Sequence, residues 1–109
     1  MGAVYSVLGQ SAPSAASLTT LYTATEATVV SSISIANRSN STTDTYRIAV
    51  RPAGASIANQ HYVAYDVPLA KNSTAVLTIG ITCAVSDVIS VYSTNGTLSF
   101  NLFGAEIEL

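Results

Sequence analysis

Apolar and polar positions alternate with a period of two along almost the whole chain, the pattern of half-buried β-strands. Tyr46, Ile48 and Val50 alternate with Thr45, Arg47, Ala49 and Arg51, which puts the arginines on the face away from the core. Leu98, Phe100 and Leu102 alternate with Ser99 and Asn101 in the same way. Leu77, Ile79 and Ile81 share one side, as do Val29, Ser31, Ile33 and Ile35. Val, Ile, Thr and Tyr dominate these runs, as suits a pleated surface. No stretch sustains a period of 3.6, and 53–60 has room for only one helical turn.

Turn-forming residues interrupt the runs at 9–16, 37–44, 52–59, 68–73 and 85–87. About eight strands follow, near 3–8, 18–24, 27–36, 45–51, 61–67, 74–82, 87–93 and 97–108, the last bulged or broken at Gly104. Asn95-Gly96, between VISVYST and TLSFNLF, predicts a tight type I′ hairpin, because both of its central positions need positive φ. Short strands at this spacing predict an all-β fold. The expectation is a single antiparallel β-sandwich over 1–109, of jelly-roll or immunoglobulin-like topology, ahead of a closed barrel. Both ends of the chain read as strand and belong to the fold.

Composition changes the picture on one point. Charged residues make up 9% of the 109 residues, against about 25% in an ordinary soluble domain. Hydrophobic residues supply 49%, Ser and Thr roughly a quarter, and the mean hydropathy is +0.42. No apolar run approaches the roughly 18 residues of a membrane helix, so a membrane partner is not expected. So little charge leaves little to keep copies apart in solution. The expected partners are therefore other protein subunits, including further copies of the chain in a trimer or higher symmetric oligomer. The basic residues are Arg38, Arg47, Arg51 and Lys71, too few to neutralise a run of phosphates, so nucleic acid is not expected.

Candidate chemistry is sparse. Cys83 lies in the apolar run 79–85 and reads as a buried small hydrophobe. His61 is the single histidine. If 61–66 is a strand, His61 and Asp66 face opposite sides, and His61 reads better as a strand-start residue touching a neighbouring subunit. Glu106 and Glu108 share a face of the last strand and read as charges guarding a sheet edge. There is no G-x-S-x-G elbow, no glycine-rich phosphate loop and no spaced Asp-x-Asp calcium loop. No catalytic residue, cofactor or metal is expected. Met1-Gly2 with Ser6 meets the loose myristoylation pattern, but AVYSVL directly after it reads as strand. Four N-x-[ST] sequons, at Asn37, Asn40, Asn72 and Asn95, fit turn composition.

Tyrosine and arginine supply the candidate contact residues. Tyr offers a large amphipathic surface at low entropic cost, and Arg anchors interfaces through its planar, multiply donating head. Arg47 and Arg51 on the outer face of one strand, Arg38 before it, and Tyr62 and Tyr65 on opposite faces of another are the expected interface residues. Tyr62, Tyr65 and Asp66 are also the best candidates for a glycan platform, a reading weakened by the absence of Trp.

Long stretches of the chain resemble a family of small structural proteins of tailed phages that infect cyanobacteria and other aquatic bacteria. The resemblance rests on VYSVLGQSAPSA at 4–15, LTTLYTA at 18–24, IANRSNSTTDTYRIAVRPAGASIANQHYVAYDVPLA at 35–70, LTIGITCAVSDVISVYS at 77–93 and LSFNLFGAEI at 98–107. Its most specific part is AVRPAGASIANQHYVAYD at 49–66. Cys83 departs from the alanine or leucine more usual there. The resemblance implies a virion component without enzymatic activity, in the tail, baseplate, neck or fibre attachment ahead of a capsid decoration protein. A glycan- or receptor-binding module is the alternative from a different class.

Overall fold

The computed structural model describes residues 2–108. Nine strands form: β1 (Gly2–Ser11), β2 (Thr19–Thr23), β3 (Ala27–Asn37), β4 (Asp44–Arg51), β5 (Tyr62–Leu69), β6 (Thr74–Leu77), β7 (Thr82–Cys83), β8 (Val88–Ser93) and β9 (Leu98–Glu108). They build two antiparallel sheets packed face to face, so the expected β-sandwich is the fold. One sheet has the order β1-β9-β3-β6, with β7 also on β3, and the other has β2-β8-β4-β5. With β6 and β7 counted as one interrupted strand, successive strands alternate between sheets except at the β4–β5 hairpin, the double Greek-key order of a jelly roll. An immunoglobulin-like order would keep the first two strands in one sheet.

Alternation makes the core. Ile33 and Ile35 of β3, Tyr46 and Ile48 of β4, Ile89 and Val91 of β8, and Leu98, Phe100 and Leu102 of β9 all point inward and are buried. Cys83 is buried among them with a free thiol, which burial pushes above the ordinary thiol pKa. The reading of Cys83 as a small hydrophobe fits its place.

Three expectations of detail fail, each for a tertiary reason. The strand expected over 74–82 breaks between β6 and β7, because only its two ends pair with β3. β9 is neither broken nor bulged at Gly104. The extra residues lie instead in its two neighbours, at the register shifts between Val7 and Gly9 of β1 and between Val30 and Ser32 of β3. Asn95-Gly96 does not close a hairpin. β8 and β9 belong to different sheets, so this turn carries the chain across the core, and only Gly96 has positive φ, at 75°.

Buried Asp44 holds that crossing. Its carboxylate accepts from Ser93 Oγ at 2.6 Å, Thr97 Oγ1 at 2.8 Å, and the backbone N–H groups of Thr45, Asn95 and Thr97 at 2.7, 2.9 and 3.1 Å. Burial would push this carboxyl up. The hydrogen bonds from Ser93, Asn95 and Thr97 outweigh it and hold the group below the usual carboxylate range. Asn37, also buried, donates to the carbonyls of Thr42 and Leu69 and so ties the 38–43 loop to β5.

Candidate binding surfaces

Two surfaces stand out, one on each sheet. On the outer face of the smaller sheet, Arg47 of β4 pairs in register with Tyr92 of β8. The Arg47 guanidinium carbon lies 4.2 Å from the centre of the Tyr92 ring and 4.2 Å from that of Tyr65. Arg47 Nε donates to Asp66 Oδ1 at 2.6 Å and Nη2 to Oδ2 at 3.4 Å, the one ion pair among the described residues. Tyr62 meets Tyr65 edge to face, with centroids 4.9 Å apart and ring planes at 86°.

The expectation that Tyr62 and Tyr65 point to opposite faces is therefore corrected. β5 shifts register twice against β4, once between the partners of Tyr46 and Ile48 and once between those of Ile48 and Ala49. The second shift inserts Val63, which changes the parity between Tyr62 and Tyr65. The first sets both Tyr65 and Asp66 against Arg47, with Asp66 at a φ of 50°. Strict alternation cannot anticipate either insertion. Tyr92 completes the stack, and alternation gives no signal for its place opposite Arg47, because the pairing of β8 with β4 is remote in sequence.

The other expected contact residues are spent on the fold. Arg51 donates to the carbonyls of Ala55 at 2.7 Å and Gly54 at 3.1 Å and to Ser90 Oγ at 3.2 Å, clamping the loop after β4. Arg38 is exposed and donates to the Gly96 carbonyl at 3.1 Å, steadying the turn between the sheets. His61 is buried within the chain itself. It ends a short 3₁₀ turn (Asn59–His61) and its Nδ1 accepts from the Ala58 N–H at 3.0 Å. Asp66 goes to Arg47 and not to His61.

The stack is worth little in stability. An exposed ion pair contributes roughly 0–1 kcal/mol, and an exposed cation–π contact about 0.5–1 kcal/mol. Arg47→Ala is expected to lower unfolding free energy by about 1 kcal/mol in urea titration, and a loss above about 3 kcal/mol would show the stack to be structural.

The second surface is the outer face of the larger sheet at its Gly2 end, where β1, β9 and the start of β3 pair. The molecule measures 47 × 27 × 19 Å. At the Gly2 end Ala3, Ile107 and Ala27 are in register, as are Tyr5, Ala105 and Val29, and Val7 lies opposite Phe103. These residues share the outer face, and none is charged. β1 is exposed on both faces there, with Val4 44%, Tyr5 82% and Val7 52% accessible.

The reading of Glu106 and Glu108 as edge guards is also corrected. β9 lies between β1 and β3, and Glu106 Oε2 accepts from Tyr22 Oη at 3.0 Å and Thr25 Oγ1 at 3.3 Å. The edge belongs to β1, which has no charge. Sequence reading undervalued Val4, Tyr5 and Val7, whose signal was an apolar side chain on both parities of one strand.

A shallow cleft of about 340 Å³, lined by Gln10, Ser11, Ala12, Ser99, Phe100 and Asn101, has no titratable side chain. Among the described residues no group of three or more His, Cys, Asp or Glu side chains is placed to hold a metal ion, and no helix is long and apolar enough to cross a membrane. No protein-family model, curated protein or solved structure matches the chain.

Proposed function

We propose that the chain is a structural, non-catalytic subunit of a tailed-phage virion, placed in the tail or its attachments. It works by protein–protein contact, with itself in three or more copies and with neighbouring virion proteins. The observation that carries this reading is the uncharged, apolar outer face at the Gly2 end of the larger sheet, open along β1. A subunit held among others gains by burying such a surface, at about 25 cal/mol per Å², whereas a free domain would be exposed to non-specific association. The resemblance to small phage structural proteins points the same way. The jelly roll itself selects no function, since it serves capsid, lectin and enzyme scaffolds alike. Cryo-electron microscopy of the particle tests the assignment. Density for the domain in tail, neck or baseplate supports it. Density on the icosahedral shell in hundreds of copies would make the chain a capsid decoration protein instead.

A glycan- or receptor-binding module is the second reading, favoured by the stack of Tyr62, Tyr65, Arg47, Asp66 and Tyr92. Against it, Arg47 already occupies a face of Tyr65 and both Asp66 oxygens. Glycan-array binding that disappears in Tyr65→Ala would establish this reading, and absence of binding by the native chain would remove it.

A further inference from the structure

We infer that β1 pairs edge to edge with β1 of a second copy across a two-fold axis, joining two larger sheets into one. This inference rests on the proposed assembly role and names the first contact within it.

Each of the other sheet edges carries a feature that discourages pairing. β5 has Pro68, Asp66 in the left-handed region and two register shifts. β6 has four residues and β7 two, and β2 has five with a shift at its centre. β1 is ten residues long, has no proline and no charge, and keeps unbroken register with β9 from Gly2 to Val7. Its first six residues are exposed on both faces, so nothing in its own molecule blocks an approaching strand.

The occupant follows from charge and symmetry. An antiparallel two-fold sets a strand against itself, so any charged residue near the axis would meet its own sign. Gly2–Ser11 contains none. The backbone of an antiparallel edge is self-complementary, because a two-fold exchanges N–H and C=O groups pairwise. Such an axis keeps outer faces outward, so it passes through a residue opposite its own copy and not between two residues.

Ten residues give an edge about 33 Å long and, at sheet thickness, about 10 Å deep. That is roughly 300–400 Å² per copy, against about 800 Å² in a standard interface. The contact is accordingly concentration-dependent and is reinforced by further assembly. Two-fold pairing also favours four or six copies over three.

Sedimentation across a concentration series up to millimolar tests the contact on the native chain, Tyr5→Lys, and Val76→Lys as a control on the β6 edge, where Val76 is 62% exposed. Even-numbered species are expected, halved in mass by Tyr5→Lys and unchanged by Val76→Lys. Circular dichroism checks that each variant is folded. A second measurement places Ala3→Cys, Val4→Cys, Tyr5→Cys and Ser6→Cys in turn and treats each with a short bis-maleimide. One position is expected to give most of the covalent dimer, while Val76→Cys gives none. A native oligomer that Tyr5→Lys leaves intact, an odd-numbered species, or equal cross-linking at every position would overturn the β1 contact and leave the assembly role standing. A monomer at every concentration would overturn both.

Discussion

Asp44→Ala is expected to lower the unfolding free energy by about 3–4 kcal/mol and the melting temperature by about 15–20 °C. The side chain accepts five hydrogen bonds, from Thr45, Ser93, Asn95 and Thr97, and among the described residues no cation pairs with it. Hydrogen bonds to a charged group contribute roughly 1.5–3 kcal/mol each, and a buried donor left without a partner costs roughly 1–3 kcal/mol. Water entering the loose turn offsets part of that loss, which keeps the total well below the sum. Asp44→Asn keeps the shape but turns one acceptor into a donor facing other donors, so it is expected to recover less than half. Denaturant titration reads both, and a loss under about 1 kcal/mol for Asp44→Ala would show that Asp44 does not hold the crossing.

The same residue sets a pH dependence. Its folded pKa lies below the unfolded value of about 3.9. Its contribution is therefore complete above that pH and disappears as pH falls through the folded pKa. Asp87 acts in the same sense, because its carboxylate accepts the backbone N–H groups of Ala53 at 2.8 Å and Ala84 at 2.9 Å. Native protein is expected to lose stability on acidification below about pH 4. Asp44→Ala should lose distinctly less over the same range, and equal losses in the two proteins would remove Asp44 as the cause.

Gly104→Ala is the second large effect, expected at about 3 kcal/mol. A Cβ at this position would lie 2.3 Å from the Val29 carbonyl oxygen and 3.0 Å from Val30 Cα. Both are backbone atoms of β3, in the middle of the sheet, and cannot swing aside as a side chain could. From β1 the Leu8 side chain, at the register shift between Val7 and Gly9, also lies 3.0 Å from the added carbon. Gly80→Ala is the control, with nothing within 4 Å of the added carbon, and is expected to stay within about 0.5 kcal/mol of the native protein. Similar losses at the two glycines would mean that close approach is not what Gly104 provides.

Much of this molecule was legible in its alternation. The runs at 45–51 and 98–102 identified strands with the right inward residues, although Ala49 on the outer parity is also buried and Val50 on the inner one is only half-buried. Where the reading failed, the deciding partner was remote in sequence. The hairpin signal at Asn95-Gly96 is local, but Asp44, some fifty residues away, captures the turn and turns it across the sandwich. Parity at Tyr62 and Tyr65 failed because bulges exist only relative to β4. The exposed edge strand β1 is legible in principle from Val4, Tyr5 and Val7, apolar on both parities. Arg47 was identified as outward, but its partners were not, since Tyr65, Asp66 and Tyr92 converge only through the pairing of three strands.

The pairing of β1 with β9 also has a consequence during synthesis. Gly2 lies opposite Glu108 and Ser11 opposite Phe100, so β1 waits for a partner made some ninety residues later. At about 5–20 residues per second, a ribosome needs roughly 5–20 s to supply that partner. Throughout that interval an uncharged, apolar strand of the nascent chain is without its partner. Among consecutive strands only β4 and β5 pair with each other, so little native structure can form early to shelter it. Soluble yield should therefore depend on the speed of translation and on holding chaperones more than on the stability of the finished fold.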